Sequence, residues 1–201
     1  MVKIISDSTC DLSQDLLERY DITILPLHIL LGEEEYLDGV NISPDEIYAW
    51  SDEYKTTPKT SAVAMMDVIE KVKPYIEEGM EVICFSISDD MSTSGNVMRM
   101  AAEEMNATQQ MFVINSGNLS TGIGLQVIEA AIMAQNGICA SEIVEKIEQI
   151  KPRVRASFVV DTLTYLYRGG RCSGLAALAG GALKLHPKII VKNGKMQPDK
   201  K

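Results

Sequence analysis

The sequence predicts an α/β fold: a doubly wound, mainly parallel sheet forming an N-terminal domain over residues 1–150, followed by a partial second α/β domain over 151–201. Three observations carry this. Short apolar runs alternate with amphipathic helical stretches, the pattern of a parallel sheet covered by helices on both faces. Two of the runs, Val82–Ile87 and Met111–Ile114, each lead into a Ser-rich loop and then a helix. Past residue 150 the pattern changes, with a strand-like Ala156–Val160 entering a region rich in glycine.

Taken in order, Val2–Ser6 reads as the first strand and Ser13–Tyr20 as the first helix. Ile22–Leu31 is a second strand interrupted by Pro26, which cannot donate to a ladder and so places it at an edge or a bulge. Gly32-Glu33 marks a turn. Ser43-Pro44-Asp45-Glu46 combines an N-cap serine, proline at the first helical position and glutamate at the capping-box position, so a helix starts there and runs to about Tyr54. Lys55–Ser61 reads as a polar loop. Met65, Met66, Ile69, Val72 and Ile76 recur at helical spacing and predict one buried face. Helices follow the two Ser-rich loops over Ser94–Met105 and Thr121–Gln135, and Ser141 caps another that ends near Pro152. Gly174–Leu185 is apolar but short and interrupted by Gly180-Gly181, so it reads as a buried core helix. Ile189–Met196 begins a hairpin turning at Asn193-Gly194, whose neighbouring strands are expected beyond Lys201.

Composition narrows the function. With 46% hydrophobic residues and a net charge of −9, the chain can bury a core but offers no excess of cations for a phosphate backbone or an anionic membrane, so nucleic acid is not an expected partner. Cys10, Cys84, Cys139 and Cys172 are scattered singly with only His28 and His186 beside them, which argues against both a zinc site and a disulfide framework. The N-terminus enters a strand directly and no window matches a membrane helix, so an uncleaved, cytoplasmic chain without integral membrane association is expected.

Ligands bind open α/β sheets beyond the strand ends, where unpaired N–H groups of the following helix favour a negative group. Three such ends are rich in hydroxyls: Ser6-Asp7-Ser8-Thr9, Ser86 through Gly95, and Asn115 through Gly122; Thr60-Ser61 is a fourth candidate before a helix. Each alone also reads as an ordinary N-cap. As a set they suit a carboxylate or phosphate held without a dedicated charge. Arg171, behind Gly169-Gly170, is the cation placed to reach an oxyanion, although the same glycines read equally as a helix C-cap with solvated arginines. No G-x-S-x-G elbow, P-loop or dinucleotide fingerprint is present, and Asp89-Asp90 lacks a third ligand, so neither cofactor nor metal is expected. The alternative is a small-molecule hydrolase or phosphotransferase with Ser92 or Thr60 as nucleophile, which requires a general base the sequence does not reveal. A ligand-free scaffold, in which every hydroxyl loop is only a cap, is the third reading.

The ordered set Ser6–Leu12, Pro26-Leu27, Lys59-Thr60-Ser61, Ser88–Ser94, Asn115-Ser116, Gly169-Gly170-Arg171 and Leu183–Pro187 resembles the DegV family of bacterial fatty-acid-binding proteins, over the whole chain. The resemblance implies a doubly wound N-terminal domain and an α/β C-terminal domain with a long-chain fatty acid between them. It further implies a binding subunit, not an enzyme, which presents the acyl carboxylate to a partner kinase that makes an acyl phosphate for phospholipid synthesis. Carried over by position, Thr60 and Ser92 bind the carboxylate and Arg171 lies near the head group or faces the kinase. Asp7, Ser8, Ser61 and Ser116 support the pocket. The sequence departs from the family's pattern at Ala62-Val63, at Ser92-Thr93, at Asn115 and at His186. Its relatives continue past Lys201, so 151–201 is expected to be an incomplete lipid-binding domain that leaves apolar residues of Gly174–Val191 uncovered.

Overall fold

The computed structural model describes residues 1–172 and 186–199. The chain opens with β1 (Val2–Asp7), a 3-10 turn, α1 (Gln14–Arg19) and β2 (Ile22–Leu25). A small lobe follows: β3 (His28–Leu31), β4 (Glu34–Leu37), α2 (Pro44–Tyr54) and β5 (Lys59–Ser61). The next elements are α3 (Met65–Glu77), β6 (Glu81–Ser86), α4 (Ser94–Glu104), β7 (Met111–Asn115), α5 (Thr121–Gln135) and α6 (Ala140–Ile150). Last come β8 (Ser157–Val159), α7 (Thr164–Gly169) and the hairpin of β9 (Lys188–Lys192) and β10 (Lys195–Pro198).

The main sheet has the order β2-β1-β6-β7 and is parallel throughout. The chain leaves β1 on one side for β2 and returns on the other for β6. The carboxyl ends of β1 and β6 therefore form the switch point at which such sheets open a crevice. Successive side chains point to opposite faces. Ile4, Ile83 and Phe85 pack with Ile123 and Val127 of α5 and Ile143 and Ile147 of α6. Ile5, Val82 and Cys84 pack on the other face with Val68 and Val72 of α3 and Met98 of α4. Burial on both faces is why these strands read as continuous apolar runs. The predicted doubly wound α/β architecture is thus the one observed.

Several local expectations are corrected. Pro26 does more than bulge a strand: β2 belongs to the main sheet, whereas β3 pairs antiparallel with β4 and β5 in a separate sheet. The Leu27 N–H, next to the break, donates to Ser8 Oγ at 3.1 Å and so leaves the ladder. Lys59–Ser61, expected as loop, is a strand pairing Ile29 with Thr60 and His28 with Ser61. Its residues are exposed and show no apolar alternation, so only the waiting edge of β3 makes it a strand. On α3 the expected face packs on the core through Val72, Met65, Ile69 and Ile76, joined by Val68, while Met66 is 70% exposed and does not belong to it. Helix α6 begins at Ala140, with Cys139 and not Ser141 at the N-cap, because Ala140, Ile143 and Ile147 form its buried stripe.

The C-terminal hairpin also differs. Its neighbour lies within the chain, since β8 pairs antiparallel with β9 to give a three-stranded sheet β10-β9-β8. Ile189, expected to lie uncovered, is fully buried against Met91, Cys172 and Met196. The core helix expected over Gly174–Leu185 falls outside the described residues. Among the described residues no helix is long and apolar enough to cross a membrane.

Candidate functional site

The site is built upward from the switch point. Asp7, at the end of β1 and fully buried, accepts hydrogen bonds from the N–H and hydroxyl of Thr9 through Oδ1 and from the Ile87 N–H at 2.8 Å through Oδ2. One carboxyl group thus ties the end of β1 to the end of β6. Burial dominates its chemistry and pushes its pKa up to about 6, against the opposing hydrogen bonds from Thr9 and Ile87. Ser8 donates to Asp38 Oδ2 at 2.7 Å while accepting from Leu27, which fastens the small lobe to the main sheet. Ser116, fully buried after β7, closes on the backbone of Asn118 at 3.2 Å.

In front of these braces lies a cleft of about 1390 Å³, walled by the small lobe, the loops after β1, β6 and β7, and the C-terminal segment. Thr60 and Ser61 of β5, Ser92 and Arg171 all line it. Asp7, Ser8 and Ser116 do not; they stand behind it. Ser92 is held at the start of α4, where its Oγ lies 3.0 Å from Ser94 Oγ and accepts from the Ser94 N–H at 3.2 Å. Gly170, with φ +69°, ends α7, and the chain then swings Arg171 to the cleft, where its guanidinium donates to the Gly169 carbonyl at 2.6 Å. The apolar part of the wall comes from Leu27, Ile29, Ile87, Met91, Phe158 and Met196.

Three lining residues carry no individual role in the sequence: Thr93 and Ser120 fall within the hydroxyl-rich ends, and Arg168 reads there only as a solvated arginine. Arg168 donates to Thr57 Oγ1 at 3.2 Å, joining α7 to the loop before β5. Thr93 follows Ser92 into the cleft. Ser120 precedes α5 with φ +52° and ψ −138° and makes no side-chain cap bond, a backbone state that non-glycine residues avoid. No residue-type signal marks such a conformation; Ser120 reads simply as a cap. Replacing Ser120 with glycine relieves strain at some cost in unfolded-chain entropy, and is expected to raise unfolding free energy by about 1 kcal/mol. Urea titration checks this, and a destabilised variant would remove the strain argument.

The electrostatics are balanced locally. Asp89 pairs with Arg99 at 3.0 Å and Asp90 with Lys195 at 3.2 Å, so the adjacent carboxylates are each engaged by a cation. Among the described residues no group of three or more His, Cys, Asp or Glu side chains could hold a metal ion. Neither histidine lines the cleft. The His28 ring sits between Glu35 at 2.6 Å and Asp67 at 2.9 Å, and His186 Nδ1 meets the Val160 carbonyl at 3.1 Å. A hydroxyl nucleophile in the cleft has no imidazole beside it among the described residues. The arrangement suits an amphipathic anion: hydroxyl donors from separate segments, arginines at the edge, and an apolar wall.

The family model described as "Uncharacterised protein, DegV family" matches residues 1–201. A DegV domain-containing protein from Clostridium perfringens is 36% identical over 195 residues, covering 97% of this chain and 70% of the relative. A second, from Deinococcus radiodurans, is 31% identical over 195 residues, covering 97% and 69% respectively. Among solved structures, the chain is similar to a DegV family protein from Thermus thermophilus described for its fatty acid binding. That match has a TM-score of 0.90 and 29% identity, over 99% of this chain and 70% of the other. It is also similar to a stearic acid-binding protein from Eubacterium ventriosum, with a TM-score of 0.87 and 32% identity over 100% and 70%.

Proposed function

The chain belongs to the DegV family, and from that premise we propose that it is a carrier that holds a long-chain fatty acid by its carboxylate in the cleft. The observation that carries the reading is that Thr60, from β5, and Ser92, from the loop before α4, both line one apolar-walled cleft. Neutral hydroxyls can hold a carboxylate and still leave it reachable. The acyl chain lies along the apolar wall, where each buried CH₂ contributes about 0.8 kcal/mol. Ser61 lines the same cleft; Asp7, Ser8 and Ser116 keep its walls in place from behind. The solved relatives described as binding a fatty acid, and stearic acid in particular, support this ligand class.

The carrier presents its cargo to a partner kinase, which phosphorylates the carboxylate to an acyl phosphate, and Arg171 serves the head group or faces that partner. The exposure of Thr60 and Arg171 supports a head group at the mouth of the cleft. The chemistry belongs to the partner, no cofactor enters, and a nucleotide-using partner places the carrier in the cytoplasm. Residues 1–150 supply the hydroxyl side of the cleft and 151–201 belong to a lipid-binding domain. Mass spectrometry of an organic extract of the purified protein tests the reading: a long-chain fatty acid near one per chain is the expected result. A folded, monodisperse preparation that carries no lipid and takes up none from added palmitate would sink it.

A further inference from the structure

We propose that Ser88 is a positioning residue for the head-group site, through which the tip of the β9–β10 hairpin sets the loop that carries Ser92. The inference rests on the fatty-acid reading for its binding measurement, but not for its structural one.

Ser88 is fully buried and uses every polar group it has. Its N–H donates to the Asn118 carbonyl at 2.9 Å, in the loop after β7. Its own carbonyl accepts from the Met91 N–H at 2.8 Å and from the Ser92 N–H at 3.1 Å, so Ser92 hangs directly from it. The side chain turns the other way: Oγ donates to the Gly194 carbonyl at 2.7 Å and accepts from the Asp90 N–H at 3.3 Å. One residue therefore joins the loop after β6, the loop after β7 and the C-terminal hairpin.

The hairpin side is fitted to match. Gly194 has φ +74°, and a Cβ there would lie 2.7 Å from both Ser88 Oγ and Asp90 Oδ2, so the tip docks only as bare backbone. Lys195 adds its ion pair to Asp90 alongside. A serine hydroxyl has one proton to give, and here it is spent on Gly194. Removing that contact leaves a buried carbonyl without its donor and frees the segment from which Ser92 hangs. The C-terminal hairpin thereby does more than wall the cleft; it completes the geometry of the loop that carries the Ser92 hydroxyl.

The test uses the full chain, palmitate as ligand and the amide resonance of Ser92. Ser88→Ala is expected to displace the Ser92 amide signal in the ligand-free protein and to raise the palmitate dissociation constant about tenfold or more. Gly194→Ala attacks the same contact from the hairpin and serves where Ser88→Ala does not fold. The double variant is expected to fall short of the summed effects, because one of the two atoms that the new methyl would strike, the Ser88 hydroxyl oxygen, is gone and the other, Asp90 Oδ2, remains. Val68→Ala, in the core between α3 and the main sheet, is the control: it lowers stability and leaves the Ser92 amide and the affinity in place. An unmoved Ser92 amide in Ser88→Ala and Gly194→Ala, or an equal displacement in Val68→Ala, overturns the proposal. If the unaltered protein binds no palmitate, the carrier reading falls, and the ligand-free Ser92 amide alone decides the role of Ser88 by the same criterion.

Discussion

The double variant Thr60→Ala, Ser92→Ala is expected to bind palmitate about a hundred to twenty thousand times more weakly than the unaltered protein. Each hydroxyl donates to an ionised carboxylate, and a hydrogen bond to a charged group is worth about 1.5–3 kcal/mol. Two of them give about 3–6 kcal/mol, which converts to that range of dissociation constants. The acyl chain keeps its apolar contacts, so binding is weakened and not abolished. The fold tolerates both changes: Thr60 is exposed on an edge strand, and Ser92 loses only its contacts with Ser94. Isothermal titration of palmitate, with circular dichroism as the check on folding, measures the effect. Either single variant is expected to cost less than half of the double if the carboxylate can shift onto the remaining hydroxyl. A double variant within threefold of the unaltered protein would move the head group elsewhere in the cleft.

How far the sequence foretold this site depends on which forces place each residue. The capping box of α2 was legible because it is purely local, and it is fully formed: the Ser43 N–H donates to Glu46 Oε2 at 2.8 Å and the Glu46 N–H to Ser43 Oγ at 3.4 Å. The strands β1 and β6 were legible because burial on both faces leaves uninterrupted apolar runs. β5 was not, because its three exposed residues gain their strand geometry from β3, more than two dozen positions earlier in the chain. The hydroxyl loops were visible as a group, yet nothing local separates those that line the cleft from those that brace it. Asp7 and Ser116 are drawn inward by unpaired N–H groups nearby, whereas Thr60 and Ser92 stay in front. Ser88 could not be singled out at all, since its partner Gly194 lies 106 residues away. Ser120 shows the same limit, because residue type carries no sign of a strained φ.

Asp7 leads to the second large effect, which runs against ordinary acid denaturation. Burial raises its pKa in the folded protein from the usual 3.8 to about 6, with Asp11 adding a small repulsion, despite the donors from Thr9 and Ile87. Between these two values the folded protein holds a proton that the unfolded chain has released. The stabilisation is therefore complete below about pH 4 and is lost as the pH rises through about 6, and it amounts to about 3 kcal/mol. Asp7→Asn removes the titration and nearly preserves the shape. Its carbonyl can still serve Thr9, but its amide then faces the Ile87 N–H as donor against donor, at a cost of about 1–3 kcal/mol. Urea unfolding at intervals from pH 4 to 7.5 is expected to show the variant clearly less stable at the acid end. The two curves should converge as the carboxylate of the unaltered protein ionises. Parallel curves would mean that Asp7 is ionised across the whole range and that its three donors outweigh burial. The distinction reaches the cleft, because the group that pays this cost at neutral pH also holds Ile87, a lining residue, to the end of β1. An ionised Asp7 grips the Ile87 N–H more strongly than a neutral one while burdening the fold, so the switch point gains a firmer wall for its ligand at the expense of global stability.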